Sequence, residues 1–307
     1  MKVYFLSILL IFTTWTSAFA QDPLSTLKTG NINHINPSLV GAQSDFGTVA
    51  QYRNQYPKLP GNFQTYSLLT NYNLNNGLGF GFELMSDVGP IVRTDALKLN
   101  TNYTLHKNDL ELRFGLNVGL TQWSLDTSIL RYEDQINPTG GFTNETTETY
   151  DPKSDVQGIL DFGISGYYKG FMVGLSAMQL NQPSSVLPTR YVAMLGYHKK
   201  LSNALNLAAV STFRQQNKFT TLETQMFGQY KFIKLGFGHR ANFGEYKNYD
   251  ILSGSAGIQF DKFALGYSYE NALKENLSGG THQAFAAWYI KGLNRENGMS
   301  NFLNTLL

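Results

Sequence analysis

The sequence predicts an all-β protein: a transmembrane antiparallel β-barrel of about 14 strands, within a range of about 12–16. Three observations carry the prediction. From residue 46 onward the chain is a succession of segments in which apolar and polar side chains alternate, the period that sends successive side chains to opposite faces of a strand. The non-apolar face of these segments carries Lys, Arg, Glu, Asn and Gly together, which suits a wet or networked lumen. The links alternate between short and long: Gly170-Phe171 and Lys231-Phe232 turn tightly, whereas 122–156 is a long polar stretch, the two-rim pattern of a bacterial barrel.

The chain opens with Lys2, the apolar run VYFLSILLIF and Ala18-Phe19-Ala20, the parts of a secretory signal peptide with its small-residue cleavage site. Residues 1–20 are read as removed, leaving Gln21 first. The alternative, an uncleaved anchor helix, asks too much of so short an apolar run. Beyond it no stretch approaches the ~20 apolar residues of a membrane helix, which says nothing against a barrel. The remainder holds 23 basic and 22 acidic residues and no Cys. That excludes disulfides and thiolate sites and argues against a nucleic-acid partner.

Residues 21–45, with PLSTLKTGNINHINPSLVGAQSDF, show no strand pattern. They are too polar for lipid and are expected either inside the lumen as a plug or on the periplasmic rim. The barrel is expected over 46–291. Its clearest segment is 109–121, where Leu110, Leu112, Phe114, Leu116, Val118 and Leu120 oppose Glu111, Arg113, Gly115, Asn117, Gly119 and Thr121. Wound as a helix, those leucines would ring the cylinder and leave no polar face. The same alternation marks 46–54, 63–73, 77–87, 96–105, 158–169, 171–180, 189–200, 204–215, 220–231, 232–241, 250–260, 262–270 and 281–291. Each segment has about ten residues, the length of a tilted spanning strand.

Aromatics cap the apolar faces. Tyr66 with Tyr72, and Tyr191 with Tyr197, lie ~20 Å apart along their strands, roughly the separation of two interfacial girdles. Between the fifth and sixth segments, 122–156 includes the acidic, Thr-rich NETTETYD and reads as an extracellular loop. A secreted soluble β-protein is the competing fold. Residues 292–307 form a tail past the last strand, ending in Leu306-Leu307, expected as a short helix or as disorder.

Catalytic signatures are weak. His34, His106, His198, His239 and His282 are far apart and fall in no HxxxH or HExxH pattern, so a metal site has little support. Gly77, Gly79 and Gly81 alternate along a strand, which fits a smooth inner wall better than a phosphate loop. GISG at 163–166 lacks the spacing of a nucleophile elbow. Outer-membrane hydrolases do carry Ser-His or Asp-His pairs on barrel strands; the pair such a reading would name is His282 with Asp161. YRNQYPKLPG at 52–61 concentrates donors at Arg53, Asn54 and Gln55 before Pro57. Arg53 is either the anchor of a lumenal network or a snorkelling arginine at the rim.

Four stretches together resemble the PorP/SprF family of type IX secretion system outer-membrane proteins. INPSLVG at 35–41 is similar to the family's Asn-Pro-Ala-x-x-Gly, through Asn36, Pro37 and Gly41. YRNQYP at 52–57, followed by Phe63 to Tyr66, is similar to its Tyr-Arg-Asn-Gln-Trp-Pro element, through Tyr52, Arg53, Asn54, Gln55 and Pro57. AMQLNQPS at 177–184 resembles a mid-chain turn. GYSYENALKENLSGGTHQ at 266–283 resembles the Tyr-Ser-Tyr-Asp hairpin with Gly-Gly-x-His, through Tyr267, Tyr269, Gly279, Gly280 and His282. Ser38, Tyr56 and Glu270 replace the family's usual Ala, Trp and Asp.

The resemblance implies a non-enzymatic outer-membrane barrel of type IX secretion or gliding motility, with no cofactor and no metal. Implied partners are outer-membrane lipid, a large secreted adhesin with a type IX C-terminal domain, and other secretion components. The site residues are then structural or partner-related. A passive porin for small polar solutes is the alternative function.

Overall fold

The computed structural model describes residues 24–74, 76–126, 133–136, 141, 154–181, 188–244, 247, 250–273, 279–290 and 298–307. The expected signal peptide and the NETTETYD stretch lie outside the described residues, as do parts of 177–184 and 266–283.

Fourteen antiparallel strands close into one barrel, each pairing with its neighbours in sequence and β1 pairing with β14. They are β1 (Phe46–Gln55), β2 (Phe63–Asn73), β3 (Leu78–Val88), β4 (Val92–Lys107), β5 (Leu110–Leu125), β6 (Ser154–Tyr168) and β7 (Phe171–Met178). The second half comprises β8 (Arg190–Lys200), β9 (Leu205–Gln216), β10 (Phe219–Tyr230), β11 (Ile233–Phe243), β12 (Ile251–Gln259), β13 (Phe263–Ala272) and β14 (Thr281–Ile290). Closure removes every sheet edge, so each backbone N–H and C=O in the wall can find a partner away from water.

The alternation sorts side chains between two solvents. Leu97, Leu99, Tyr103, Leu116, Val118 and Leu120 are exposed on the outer wall, where lipid takes the place of water. The residues between them, including Lys98, Asn100, Asn102, Arg113 and Asn117, are buried inside. Tyr66, Tyr72, Tyr191 and Tyr197 all face outward, one of each pair near each rim.

Turns on one rim are short. Asn108, Lys169 and Lys231 adopt positive φ there, the left-handed geometry that two-residue hairpins need to match strand twist. Residues 24–45 enter β1 at this rim and β14 ends at it. By the pattern of bacterial barrels this is the periplasmic rim. The other, extracellular rim carries the longer links 56–62, 126–153, 179–189, 244–250 and 273–280 together with two short ones, 89–91 and 217–218.

One expectation is corrected in detail. The link between β5 and β6 is shorter than 122–156, because β5 runs on to Leu125 and β6 begins at Ser154. Trp123 pairs with Asp155 and Gln122 with Val156, so the ladder continues where apolar alternation has ended. Above the bilayer both faces of a hairpin meet water, and strand geometry persists there without an apolar side.

The core is the lumen itself. Its buried apolar cluster joins Leu27, Ile32, Ile35, Leu39 and Val40 to Val192, Met194, Val210 and Phe285 of the wall, and to Met299, Phe302, Leu303, Leu306 and Leu307. The segment 24–45 is therefore inside the barrel, with a short helix α1 (Ile32–Ile35) flanked by single 3-10 turns at Thr29–Asn31 and Pro37–Leu39. The tail also turns inward, as helix α2 (Gly298–Thr305).

Candidate functional site

The lumenal segment is tied to the wall through both its side chains and its backbone carbonyls. Asn36 Nδ2 donates to the carbonyl oxygens of Ile164 at 3.0 Å and Leu175 at 3.1 Å, on β6 and β7. Its Oδ1 accepts from Ser38 N at 3.0 Å and Ser38 Oγ at 2.7 Å. Arg113 Nε donates to Ser38 O at 2.7 Å and its NH2 group to Val40 O at 2.9 Å. Asn100 Nδ2 donates to Pro37 O at 3.1 Å. Small wall residues permit this approach: a Cβ on Gly115 would lie 2.3 Å from Pro37 C, and one on Gly163 2.0 Å from Asn36 Oδ1. Gly81 likewise receives Val40, whose Cγ1 a Cβ would approach to 2.7 Å. Gly41 takes φ 71 as the chain turns out towards β1, beside Asn73, whose Nδ2 donates to its carbonyl at 2.7 Å.

Two charge networks flank this contact. His34 Nε2 lies 3.0 Å from Glu83 Oε1, and Asn33 Nδ2 donates to Glu83 at 2.6 Å. Asn117 donates to Asn33 at 3.0 Å and to Asp161 at 2.9 Å, while Lys98 meets Asp161 at 3.2 Å. Towards the extracellular half, Glu223 pairs with Lys28, with Arg240 at 2.9 Å and with Arg214 at 3.4 Å. Arg240 also reaches Glu270 at 3.3 Å, and Glu270 accepts from Thr26 and, at 2.6 Å, from Gln283. Every charge here is buried and paired, the condition under which buried ions persist. Burial draws Lys28 down to about 8 from 10.5, against the upward pull of Glu223.

Helix α2 closes the periplasmic end. Phe302 is fully buried, against Gly196, where a Cβ would lie 2.4 Å from its ring. Lys234 Nζ donates to Leu306 O at 3.0 Å and Gln43 Nε2 to Leu303 O at 3.2 Å. Backbone N–H groups of Lys28 and Thr29 donate to Leu307 O, joining the two lumenal segments.

Residues far apart in sequence converge at the β14–β1 seam. Register places Tyr52 opposite Ala284 and Tyr66, and Asn54 opposite His282 and Gln64. Tyr267 and Tyr269 lie opposite Ala284 and His282. Tyr52, Tyr267 and Tyr269 face outward; His282 Nδ1 is 2.6 Å from Tyr267 Oη and its ring 5.1 Å from that of Tyr269. Beyond the strands, Tyr56 N donates to Gly280 O at 2.8 Å. Gly279 and Gly280, both at positive φ, bring the chain against Pro57, 3.2 Å from a Cβ on Gly279. Gln55 pairs with Thr281 at the top of the seam.

Inside the seam, Arg53 is buried, opposite Gln283 and Thr65, within electrostatic range of Glu270. Ser25 Oγ donates to Gln283 at 2.7 Å and accepts from Gln51 at 2.8 Å. The motif residues thus form four groups: Asn36, Pro37 and Gly41 in the lumen, Arg53 on the inner seam, the tyrosines, Asn54 and His282 on the outer seam, and Gln55, Pro57, Gly279 and Gly280 at the extracellular rim. His282 and Asp161 do not meet, because one faces outward on β14 and the other is fully buried in the lumen on β6. Glu223 and Arg240 lie outside the four motif stretches, whereas Glu270 and Gln283 fall within 266–283. The signal of Glu223 and Arg240 in the sequence is a charged residue at an inward position of an alternating segment.

Residues 17–288 match the sequence model of the type IX secretion system membrane protein PorP/SprF family. No curated protein matches the chain. The fold is similar to that of the outer membrane protein Omp33 of Acinetobacter baumannii, with TM-score 0.50 and 9% identity over 81% of this chain and 100% of that one. CymD, a monoaromatic hydrocarbon channel, gives TM-score 0.49 and 11% identity over 90% of this chain and 100% of that one.

Proposed function

The chain belongs to the PorP/SprF family of type IX secretion system membrane proteins, and from that premise we propose that it assists the export or surface attachment of one large secreted partner. It is an outer-membrane β-barrel. In the proposed role the partner is an adhesin bearing a type IX C-terminal domain, received on the extracellular links and the seam, and the barrel performs no chemistry.

One observation supports a holder over a passive porin: the barrel is filled by its own chain. Segment 24–45 and helix α2 are hydrogen-bonded into the wall and to each other, with Ile35, Leu39 and Phe302 fully or almost fully buried. A diffusion pore for polar solutes needs a continuous wet path, and a core packed at this depth works against one.

Affinity capture of the tagged barrel from outer membranes tests the reading. Recovery of a very large secreted protein, with or without other secretion components, is the expected result. Recovery of neither, together with stable open-channel current in lipid bilayers, would replace it with the porin.

A further inference from the structure

The outer wall has a dent. On β9 and β10, Ala209 and Gly228 leave a hollow of about 550 Å³ on the lipid face, bordered by Tyr197, Leu207, Met226, Leu235 and Phe237, with Lys199 at one end. A second hollow of about 470 Å³, polar in character, opens at the periplasmic rim beside the start of α2. Lys169, His198, Lys199, Lys200, Asn203 and Asn206 line it. Tyr197 and Lys199 line both, so the two hollows adjoin at the end of β8.

Their chemistry is matched to depth. Lys199 and Lys200 end β8 at the rim, whereas Ala209 and Gly228 lie two to four residues inside it, or ~7–13 Å along the strand. Neither Lys199 nor Lys200 has an ion-pair partner among the described residues. Lys169 is shared with Asp109 at 3.7 Å, both well exposed. His198, almost fully buried, keeps its Nε2 without a hydrogen-bond partner on the polar side. A cationic recess at the interface above an apolar groove has the layout of a glycerophospholipid: phosphate at the rim, acyl chain along the wall. A basic pocket at headgroup depth selects anionic lipid.

We propose that this composite hollow binds one anionic glycerophospholipid of the periplasmic leaflet. The phosphate sits among Lys199, Lys200 and Lys169, and one acyl chain fills the dent over Gly228. The site is independent of the partner-holding role.

Native mass spectrometry of the full-length, delipidated barrel tests it, using dioleoyl phosphatidylglycerol, dioleoyl phosphatidylcholine and inorganic phosphate as separate probes. One phosphatidylglycerol should be retained at least tenfold more strongly than phosphatidylcholine. Combining Lys199→Gln with Lys200→Gln should abolish that preference. Gly228→Leu should cut phosphatidylglycerol retention at least fivefold by filling the dent. A Cβ there meets only Leu207 Cδ2 at 3.6 Å, an ordinary contact, so this variant should keep the mobility of the folded barrel. Equal retention of both lipids, an unchanged preference in the lysine double variant, or displacement of the lipid by equimolar inorganic phosphate would overturn the proposal.

Discussion

Arg113 on β5 donates from Nε to the backbone carbonyl of Ser38 at 2.7 Å, across the lumen from a segment 75 residues earlier in the chain. With its second bond to Val40 O at 2.9 Å, one fully buried guanidinium holds both the Pro37–Leu39 turn and the residue that follows it. Such a link is strong because the donor is charged and its fork is rigid.

Arg113→Met should therefore loosen the segment. It leaves two buried carbonyls and Glu111 without their donor, at a cost of about 3 kcal/mol. The heat needed to convert folded to unfolded mobility in gels should fall, and cleavage by added protease within 24–45 should accelerate. Unchanged cleavage would show that the segment is held elsewhere.

Gly163→Val should expel Asn36. A Cβ at Gly163 would lie 2.0 Å from Asn36 Oδ1, on a side chain fixed by bonds to Ile164 O and Leu175 O. Bilayer recordings should show open-channel current absent from the unsubstituted barrel. Gly254→Ala is the control: a Cβ there meets nothing within 4 Å, and its effect should stay within ~0.5 kcal/mol.

Glu223→Gln should be more harmful than its isosteric shape suggests. It removes the carboxylate that faces Lys28, Arg214 and Arg240 together; Arg240 keeps Glu270, but Lys28 and Arg214 stay buried without their partner, at about 3–5 kcal/mol. Adding Lys28→Met should recover part of that loss, and a cycle of the two substitutions measures how much.

Alkaline pH should tighten the lumenal segment rather than release it. Docked Lys28 gives up its proton at about 8, whereas a free lysine holds one to 10.5. Between those values the released state binds more protons, so stability from this group rises with pH. The thermal midpoint of the unsubstituted barrel, measured relative to Lys28→Met, should climb from pH 8 to 10. A fall across that window would contradict the assignment.

Phe302→Ala should undo the periplasmic closure. The ring is fully buried against Gly196, and its loss costs about 3–4 kcal/mol by burial and cavity together. Hydrogen exchange of 298–307 should rise while exchange in β1–β14 stays slow.

Much of the wall was legible in the sequence because lipid on one face and a packed polar lumen on the other impose a strict period of two. Leu110 to Leu120 shows it plainly. Where that contrast lapses the reading falters: Gln122 to Leu125 and Ser154 to Gln157 remain strand with no apolar face to announce it. The lumenal segment is harder still. Several of its contacts are carbonyl oxygens that accept from Arg113 and Asn100, and a carbonyl looks the same in every residue. The seam was legible only as separate motifs. Tyr52 and Tyr267 are brought to either side of Ala284 by closure of the sheet, an event with no local trace. The inward charges at Glu223, Arg240 and Glu270 were visible as departures from alternation, but their pairing is a property of the closed ring.

Residues 24–45 and helix α2 both lie inside the barrel, where Lys28 and Thr29 reach Leu307. A finished cylinder would have to be threaded twice from one mouth to reach this state. A sheet that stays open at β1 and β14 can instead lay its wall around contents already gathered. Assembly on that route is wrapping, with the seam as the last join. The hydrogen bonds from Ser25 to Gln283 and from Gln51 to Ser25 then act as the clasp, fastening cargo and wall in a single step.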